Sequence, residues 1–170
     1  PITLAATNGS AKVIDALLAA GVDPNTETPE GEPVIMTAAC TGTVDALKSL
    51  IARGASVNAR EKWFGETAVM WAASENHADA IRVLAEAGAD LNAKSTVLDA
   101  PVLEFPRSGG PNSPLPRGGW TPLMHAARQG ALEAGKALTD APQIDLNVVD
   151  PDGTTALVVA IINAHYDFAA

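Results

Sequence analysis

A short segment of the chain recurs at a nearly constant interval. Its best copy is residues 121–127, Thr-Pro-Leu-Met-His-Ala-Ala. The alanine pair that ends this copy stands also at residues 5–6, 38–39 and 72–73, and residues 160–161 keep it as Ala-Ile. Successive copies begin 33, 34, 54 and 34 residues after the previous one. Repetition at this interval predicts a stacked solenoid, in which each unit contacts only its neighbours.

The recurring segment predicts the start of a helix. Thr121 can cap the free N–H groups of the first turn, and Pro122 suits the first helical position, which needs no N–H donor. The two alanines leave a face small enough for a second helix to approach closely. A second marker, an asparagine, keeps the same interval at Asn25, Asn58, Asn92 and Asn147. Two markers in a fixed phase therefore define one repeating unit.

On these residues the chain resembles the ankyrin repeat family, in a bacterial-type form with an inserted loop rich in proline and glycine. The family has a period of about 33 residues and a T-P-L-H-x-A helix start. The resemblance implies an all-α fold, an ankyrin-repeat solenoid of helix-turn-helix units, with about five repeats of which the terminal ones are incomplete. It also implies more apolar packing between repeats, because the family's histidine is replaced by Thr3, Met36, Met70, Met124 and Val158.

We expect one array over residues 1–170, with repeats at 1–26, 27–59, 60–94, 118–148 and 149–170. The predicted helices are 1–7, 11–19, 34–40, 44–52, 68–74, 78–87, 122–128, 132–139 and 156–163, so that the fifth repeat has a single helix. That helix is apolar on its outer side, whereas a terminal repeat needs a polar outer face. We therefore expect further repeats beyond Ala170 and before Pro1.

An insert at residues 95–117 lengthens the third interval. Its five prolines forbid a helix, and the two glycines between them favour an irregular loop. Residues 97–105 contain several large apolar side chains, so we expect this half to lie against the array and the second half to be more mobile. We expect the helical stack to survive shortening of the insert, because loop closure depends only weakly on loop length.

Composition excludes several classes of function. The net charge of −9 opposes phosphate backbones and anionic membrane surfaces, so we expect no nucleic acid as a partner. No apolar run approaches the length of a membrane span, so we expect no membrane insertion. Cys40 is the only cysteine, which rules out an intramolecular disulfide and leaves the cellular compartment open.

The sequence lacks the common motifs of catalysis and of cofactor binding. We find no HExxH, no Cys–His group, no GxSxG and no phosphate-binding glycine loop. His77 and His165 begin second helices, as histidines often do in this family, and His125 occupies a half-buried position that Trp71 fills one repeat earlier. Structural roles are therefore expected for the histidines, and a filling role for Cys40. We expect no enzymatic activity, no cofactor and no metal ion.

The resemblance also implies where a partner would bind. In ankyrin domains the concave face is lined by the first helices of the repeats and by the extended turns before them, here called fingers. The residues carried over to this surface are Glu32, Cys40, Thr41, Trp63, Phe64, Glu66, Ser74, Glu75, Trp120, Arg128, Gln129, Asp152, Thr154 and Asn163. Exposed aromatic residues among polar groups are typical of binding hot spots, which singles out Trp63, Phe64 and Trp120. The alternative is that Trp63 and Trp120 pack on neighbouring fingers or on the insert.

We expect a non-catalytic protein–protein interaction module that binds a protein partner. One alternative is a regulatory or accessory ankyrin domain of a larger enzyme or receptor, which the full open reading frame would reveal. A third class gives a catalytic or ligand-binding role to the insert, whose charged residues are Asp99, Glu104, Arg107 and Arg117.

Overall fold

The computed structural model describes residues 1–97 and 117–170, and these residues form ten α-helices. The helices come in five consecutive pairs, one pair for each repeat. The pairs are α1 (Ile2–Thr7) with α2 (Ala11–Ala19), α3 (Val34–Cys40) with α4 (Val44–Ala52), α5 (Ala68–Ser74) with α6 (Ala78–Glu86), α7 (Pro122–Gln129) with α8 (Leu132–Thr139), and α9 (Ala156–Ile162) with α10 (Tyr166–Ala169). The all-α solenoid expected from the sequence is confirmed.

The expectation of a single helix in the fifth repeat is wrong. Ala164, with a φ of 62°, turns the chain after α9, and α10 follows as a short second helix. Two contacts with the fourth repeat hold α10 in place. The Nε2 of His165 donates to the carbonyl of Arg128 at 3.1 Å, and the ring of Phe168 lies where a Cβ at Gly135 would be.

The odd-numbered helices stack in one row, the inner row, and the even-numbered helices stack in a second, outer row. The insert interrupts the chain between α6 and α7 without interrupting either row, because α5 packs on α7 and α6 packs on α8. None of the helices in residues 1–97 and 117–170 has the length and apolar character needed to span a lipid bilayer.

Comparing the exposure of equivalent side chains in the inner row shows which position of each repeat packs against the next repeat. Met36, Met70 and Met124 are completely buried, whereas Val158, at the same position of the fifth repeat, is 41% exposed. This position therefore faces the following repeat, where the apolar replacements of the family's histidine pack. Leu4 and three residues of α9, Leu157, Ile161 and Ile162, are also exposed at the two ends of the row.

The four recurring asparagines lie on the outer side of the turns that close the repeats. The Asn25 side chain donates to the carbonyl of Gly54 and accepts from the N–H of Ser56, both in the second repeat. Asn58 forms the same two bonds with the third repeat. Asn92 donates to Gln143 and accepts from Asp145, at 2.8 Å each, and so joins the two repeats that the insert separates in sequence.

Replacing Asn92 with alanine is expected to lower the free energy of unfolding by about 2 kcal/mol, because two hydrogen bonds between repeats are lost. Urea denaturation followed by circular dichroism measures the effect. Asn147→Ala is the matched control, since Asn147 holds the same position in the fourth repeat and its side chain makes none of these bonds within the described residues. Equal destabilisation by both changes would contradict the assignment.

The turns between paired helices use two different arrangements. Gly42 and Gly130 have positive φ and lie against the rings of His77 and His165, where a Cβ would approach within 2.5 Å. In the third repeat Asn76 takes the glycine position, with a φ of 61°. Its side chain accepts from the N–H of Ala134 at 2.9 Å and so caps α8. His77 and His165 therefore have structural roles, because each ring packs against the glycine turn of the preceding repeat.

The two ends of the insert are described, and they form a short stem. Val97 and Gly118 pair as an antiparallel bridge, and Ser95 exchanges two hydrogen bonds with Trp120, from its N–H at 2.9 Å and to its hydroxyl at 3.0 Å. The expectations that residues 97–105 lie against the array and that the second half is mobile concern residues 98–116, which lie outside the described residues.

Candidate protein-binding surface

The third finger, residues 60–67, is organised by the buried carboxylate of Glu61. This side chain accepts the backbone N–H groups of Trp63 at 2.5 Å, Phe64 at 2.8 Å and Glu66 at 2.8 Å. Hydrogen bonds to an ionised acceptor are the strong kind, and here they take the place of a counter-ion. An antiparallel bridge between Arg60 and Thr67 closes the base of the finger. The backbone at the tip is therefore fixed by its own sequence.

The second finger, residues 26–33, contacts the third through a hydrogen bond and an ion pair. The indole N–H of Trp63 donates to the carbonyl of Glu30 at 3.1 Å, and the Lys62 ammonium pairs with Glu27 at 2.5 Å. The aliphatic part of Lys62 lies over Gly31, where a Cβ would collide with it. Trp63 nevertheless remains 70% exposed and Phe64 52% exposed. The third finger thus exposes two aromatic side chains to solvent, on a backbone that its contacts with the second finger help to hold in place.

A polar cluster lies beside this finger, on the inner row between the third and fourth repeats. The indole N–H of Trp71 donates to Glu66 at 2.8 Å. The His125 ring lies between two neighbours, with Nδ1 at 3.4 Å from the hydroxyl of Ser74 and Nε2 at 3.6 Å from the Glu66 carboxylate. The fold therefore gathers Glu66 and Ser74, which were predicted for the surface, around Trp71 and His125, which were assigned structural roles.

Trp120 closes the cluster from the side of the insert. Its ring meets the His125 ring edge to face, with centroids 5.7 Å apart, and the guanidinium of Arg128 lies 5.4 Å from its centroid. The expectation that Trp120 is exposed on a finger is wrong, because only 8% of it is exposed. The hydrogen bonds between its backbone and Ser95 draw it against the stem and the inner row.

Burial sets the protonation of this cluster. Burial, together with the smaller effect of the positive charge of Arg128, lowers the pKa of His125 to about 4. Burial raises the pKa of Glu66, an effect that the hydrogen bond from Trp71 opposes. Burial also raises the pKa of the Cys40 thiol, with Glu75 and Glu32 adding to the effect. At neutral pH His125 is uncharged, and the Cys40 thiol stays protonated, as suits a filling role.

Ser74, His125 and Glu66 together have the residue types of a catalytic triad. The distances of 3.4 Å and 3.6 Å exceed the reach that proton transfer needs, about 2.6–3.2 Å. Ser74 is moreover the last residue of α5, so the free backbone groups nearest to it are carbonyls. Carbonyls repel a developing oxyanion, which needs N–H donors. The geometry does not support nucleophilic catalysis here.

The remaining predicted surface residues are more dispersed. Glu32 accepts the hydroxyl of Thr37 at 2.6 Å, and Asp152 on the fifth finger pairs with Arg117 at 3.1 Å. Thr41, Glu75, Arg128, Gln129 and Asn163 are exposed, whereas Cys40 and Thr154 are half-buried. Within the described residues, no group of three or more His, Cys, Asp and Glu side chains is arranged to hold a metal ion.

Sequence reasoning left Trp71 and His125 out of the candidate surface. The two residues hold the same position in consecutive repeats, one place after Met70 and Met124. Equivalent positions of a solenoid stack side by side, so this shared position was the available signal. The signal predicted proximity, but it did not predict that Glu66 and Ser74 would bond to these rings.

Stacked helical pairs joined by projecting fingers define a helical repeat protein of the ankyrin type. The family model for ankyrin repeats, three copies, matches residues 2–95 and 104–170, and the chain belongs to this family. A comparison with curated proteins found no match.

Proposed function

We propose that this chain is a non-catalytic recognition domain that binds a protein partner through its second and third fingers and the adjoining inner row. Ankyrin repeats are generally protein–protein interaction modules, which supports the class of function. The observation that carries the proposed site is Trp63, an aromatic residue that is both largely exposed and fixed in position.

A fixed and exposed aromatic side chain suits binding for two reasons. Tryptophan is among the residues that contribute most to binding when a partner covers them. A side chain that is already held in place also loses little conformational entropy on association, so more of the contact energy appears as affinity. Here the hydrogen bond to Glu30 and the bonds to Glu61 supply the rigidity. Phe64 extends the apolar surface beside it.

The polar residues around this centre complete the proposed surface. Those beside the second and third fingers and on the adjoining inner row are Glu32, Thr41, Glu66, Ser74, Glu75, Arg128 and Gln129. Asp152 and Thr154 lie on the fifth finger and extend the proposed surface along the array. We propose the same surface if the domain is a regulatory or accessory part of a larger enzyme or receptor, since the partner would then be another part of that protein.

Replacing Trp63 with alanine is expected to weaken partner binding by about 2 kcal/mol or more, because a hot-spot contact is removed. Quantitative capture of partner proteins from extracts of the source cells measures the loss. The melting temperature is expected to fall by no more than a few degrees, since Trp63 is largely exposed and only its hydrogen bond to Glu30 is lost.

Tyr166→Ala is the matched control, because Tyr166 is 65% exposed and lies in α10 at the far end of the array. It is expected to leave capture unchanged. Capture that survives Trp63→Ala but is lost in Tyr166→Ala would place the binding surface at the fifth repeat instead.

A further inference from the structure

We propose that the partner segment seated on the second and third fingers carries an arginine or lysine side chain, which stacks on Trp63 and faces Glu30 and Glu32. The inference rests on the proposed function and adds the chemistry of the partner. It follows from an imbalance of charge beside an exposed aromatic ring.

The two fingers carry more negative than positive charge. Residues 26–33 and 60–67 contain five acidic residues, Glu27, Glu30, Glu32, Glu61 and Glu66, against two basic ones, Arg60 and Lys62.

Both basic residues are already engaged. The Arg60 guanidinium donates to the carbonyls of Gly65 at 2.6 Å and Lys94 at 2.7 Å, and Lys62 pairs with Glu27. Neither Glu30 nor Glu32 forms an ion pair within the described parts of the chain. The fingers thus hold two carboxylates with no cation of their own.

The indole of Trp63 is oriented by the backbone of the second finger. Its N–H points to the carbonyl of Glu30, so the polar edge of the ring is already satisfied and its exposed surface is free for stacking. The face of an indole attracts cations, and most strongly where it can be covered. The same protein contains this geometry internally, since the guanidinium of Arg128 lies 5.4 Å from the centre of the Trp120 ring.

Other kinds of partner fit this surface less well. A purely apolar segment would cover Glu30 and Glu32 without supplying a charge, and removing an unpaired carboxylate from water is costly. An acidic segment would be repelled by the fingers and by the net charge of −9. An arginine or lysine side chain supplies the positive charge that these carboxylates lack, and it can stack on the exposed indole.

A random peptide library displayed on phage and selected on the whole chain tests this inference. Peptides that bind the wild-type chain are expected to be enriched in arginine and lysine. A synthetic peptide of the consensus sequence then serves as the probe in fluorescence anisotropy titrations.

Three results are expected with that peptide. Trp63→Ala weakens binding about tenfold or more, and Glu30→Gln with Glu32→Gln weakens it about threefold or more. Raising the ionic strength from about 0.01 M to about 0.15 M weakens wild-type binding more than binding by the double variant, because screening acts on the charges that the variant lacks. Glu86→Gln, on the exposed outer side of α6, is the control and leaves binding unchanged.

The possible failures differ in meaning. Trp63-dependent peptides without arginine or lysine overturn the inference and leave the proposed function standing. Basic peptides whose binding is insensitive to Trp63→Ala and to the double variant show only general attraction to an acidic protein, which also overturns the inference. A library that yields no binders overturns it as well, while the proposed function is judged separately by the capture of partner proteins.

Discussion

Replacing Trp120 with alanine is expected to lower the free energy of unfolding by about 3 kcal/mol, whereas the same change at Trp63 is expected to lower it by about 1 kcal/mol at most, through loss of the hydrogen bond to Glu30. Trp120 is buried against His125 and Arg128, so its removal leaves a cavity in the inner row. Trp63 contacts mainly solvent. Urea denaturation of both variants beside the wild type measures the difference.

The two variants distinguish a packing role for Trp120 from a binding role for Trp63. The sequence alone does not distinguish these roles, because each tryptophan precedes an inner helix. Similar losses of stability in both variants would contradict the burial difference that underlies the proposed binding site. An unchanged free energy of unfolding in Trp120→Ala would show that Trp120 is free to bind a partner after all.

The stability of the wild type is expected to fall more steeply below pH 6.5 than that of His125→Gln. The pKa of His125 is about 4 in the folded state and about 6.5 in the unfolded chain. Between these values the unfolded state binds more protons, so this contribution to stability is fully present above pH 6.5 and is lost as the pH falls towards 4. The advantage of the wild type over His125→Gln is expected to shrink by about 2 kcal/mol between pH 7 and pH 5.

Glu66 titrates in the opposite sense. Its pKa is raised on folding, so the folded state gains protons relative to the unfolded state, and stability rises as the pH falls through that range. Because Glu66 is present in both proteins, the comparison with His125→Gln largely removes its effect. Urea denaturation at pH 7, 6 and 5 provides the data. A difference between the two proteins that stays constant with pH would contradict the burial of a neutral His125.

The sequence by itself determined the repeat and most of the helices. Helices α3, α4 and α5 begin and end at the residues predicted for them. Their boundaries depend on neighbours within a few positions, such as the threonine or proline before the first turn and the residues that end the last one. A fixed interval then sets which helices stack, because each repeat can bury its apolar face only against the next.

Only the tertiary structure decided which candidate residues are exposed and which meet. Trp63 and Trp120 both lie on fingers, but Ser95, 25 residues earlier in the chain, draws Trp120 inward. Ser74 meets His125 across 51 residues and an insert. The packing of α10 on the fourth repeat likewise depends on contacts of His165 and Phe168. These outcomes depend on distances between repeats, which are set by packing across the stack and cannot be obtained from the periodicity of the sequence.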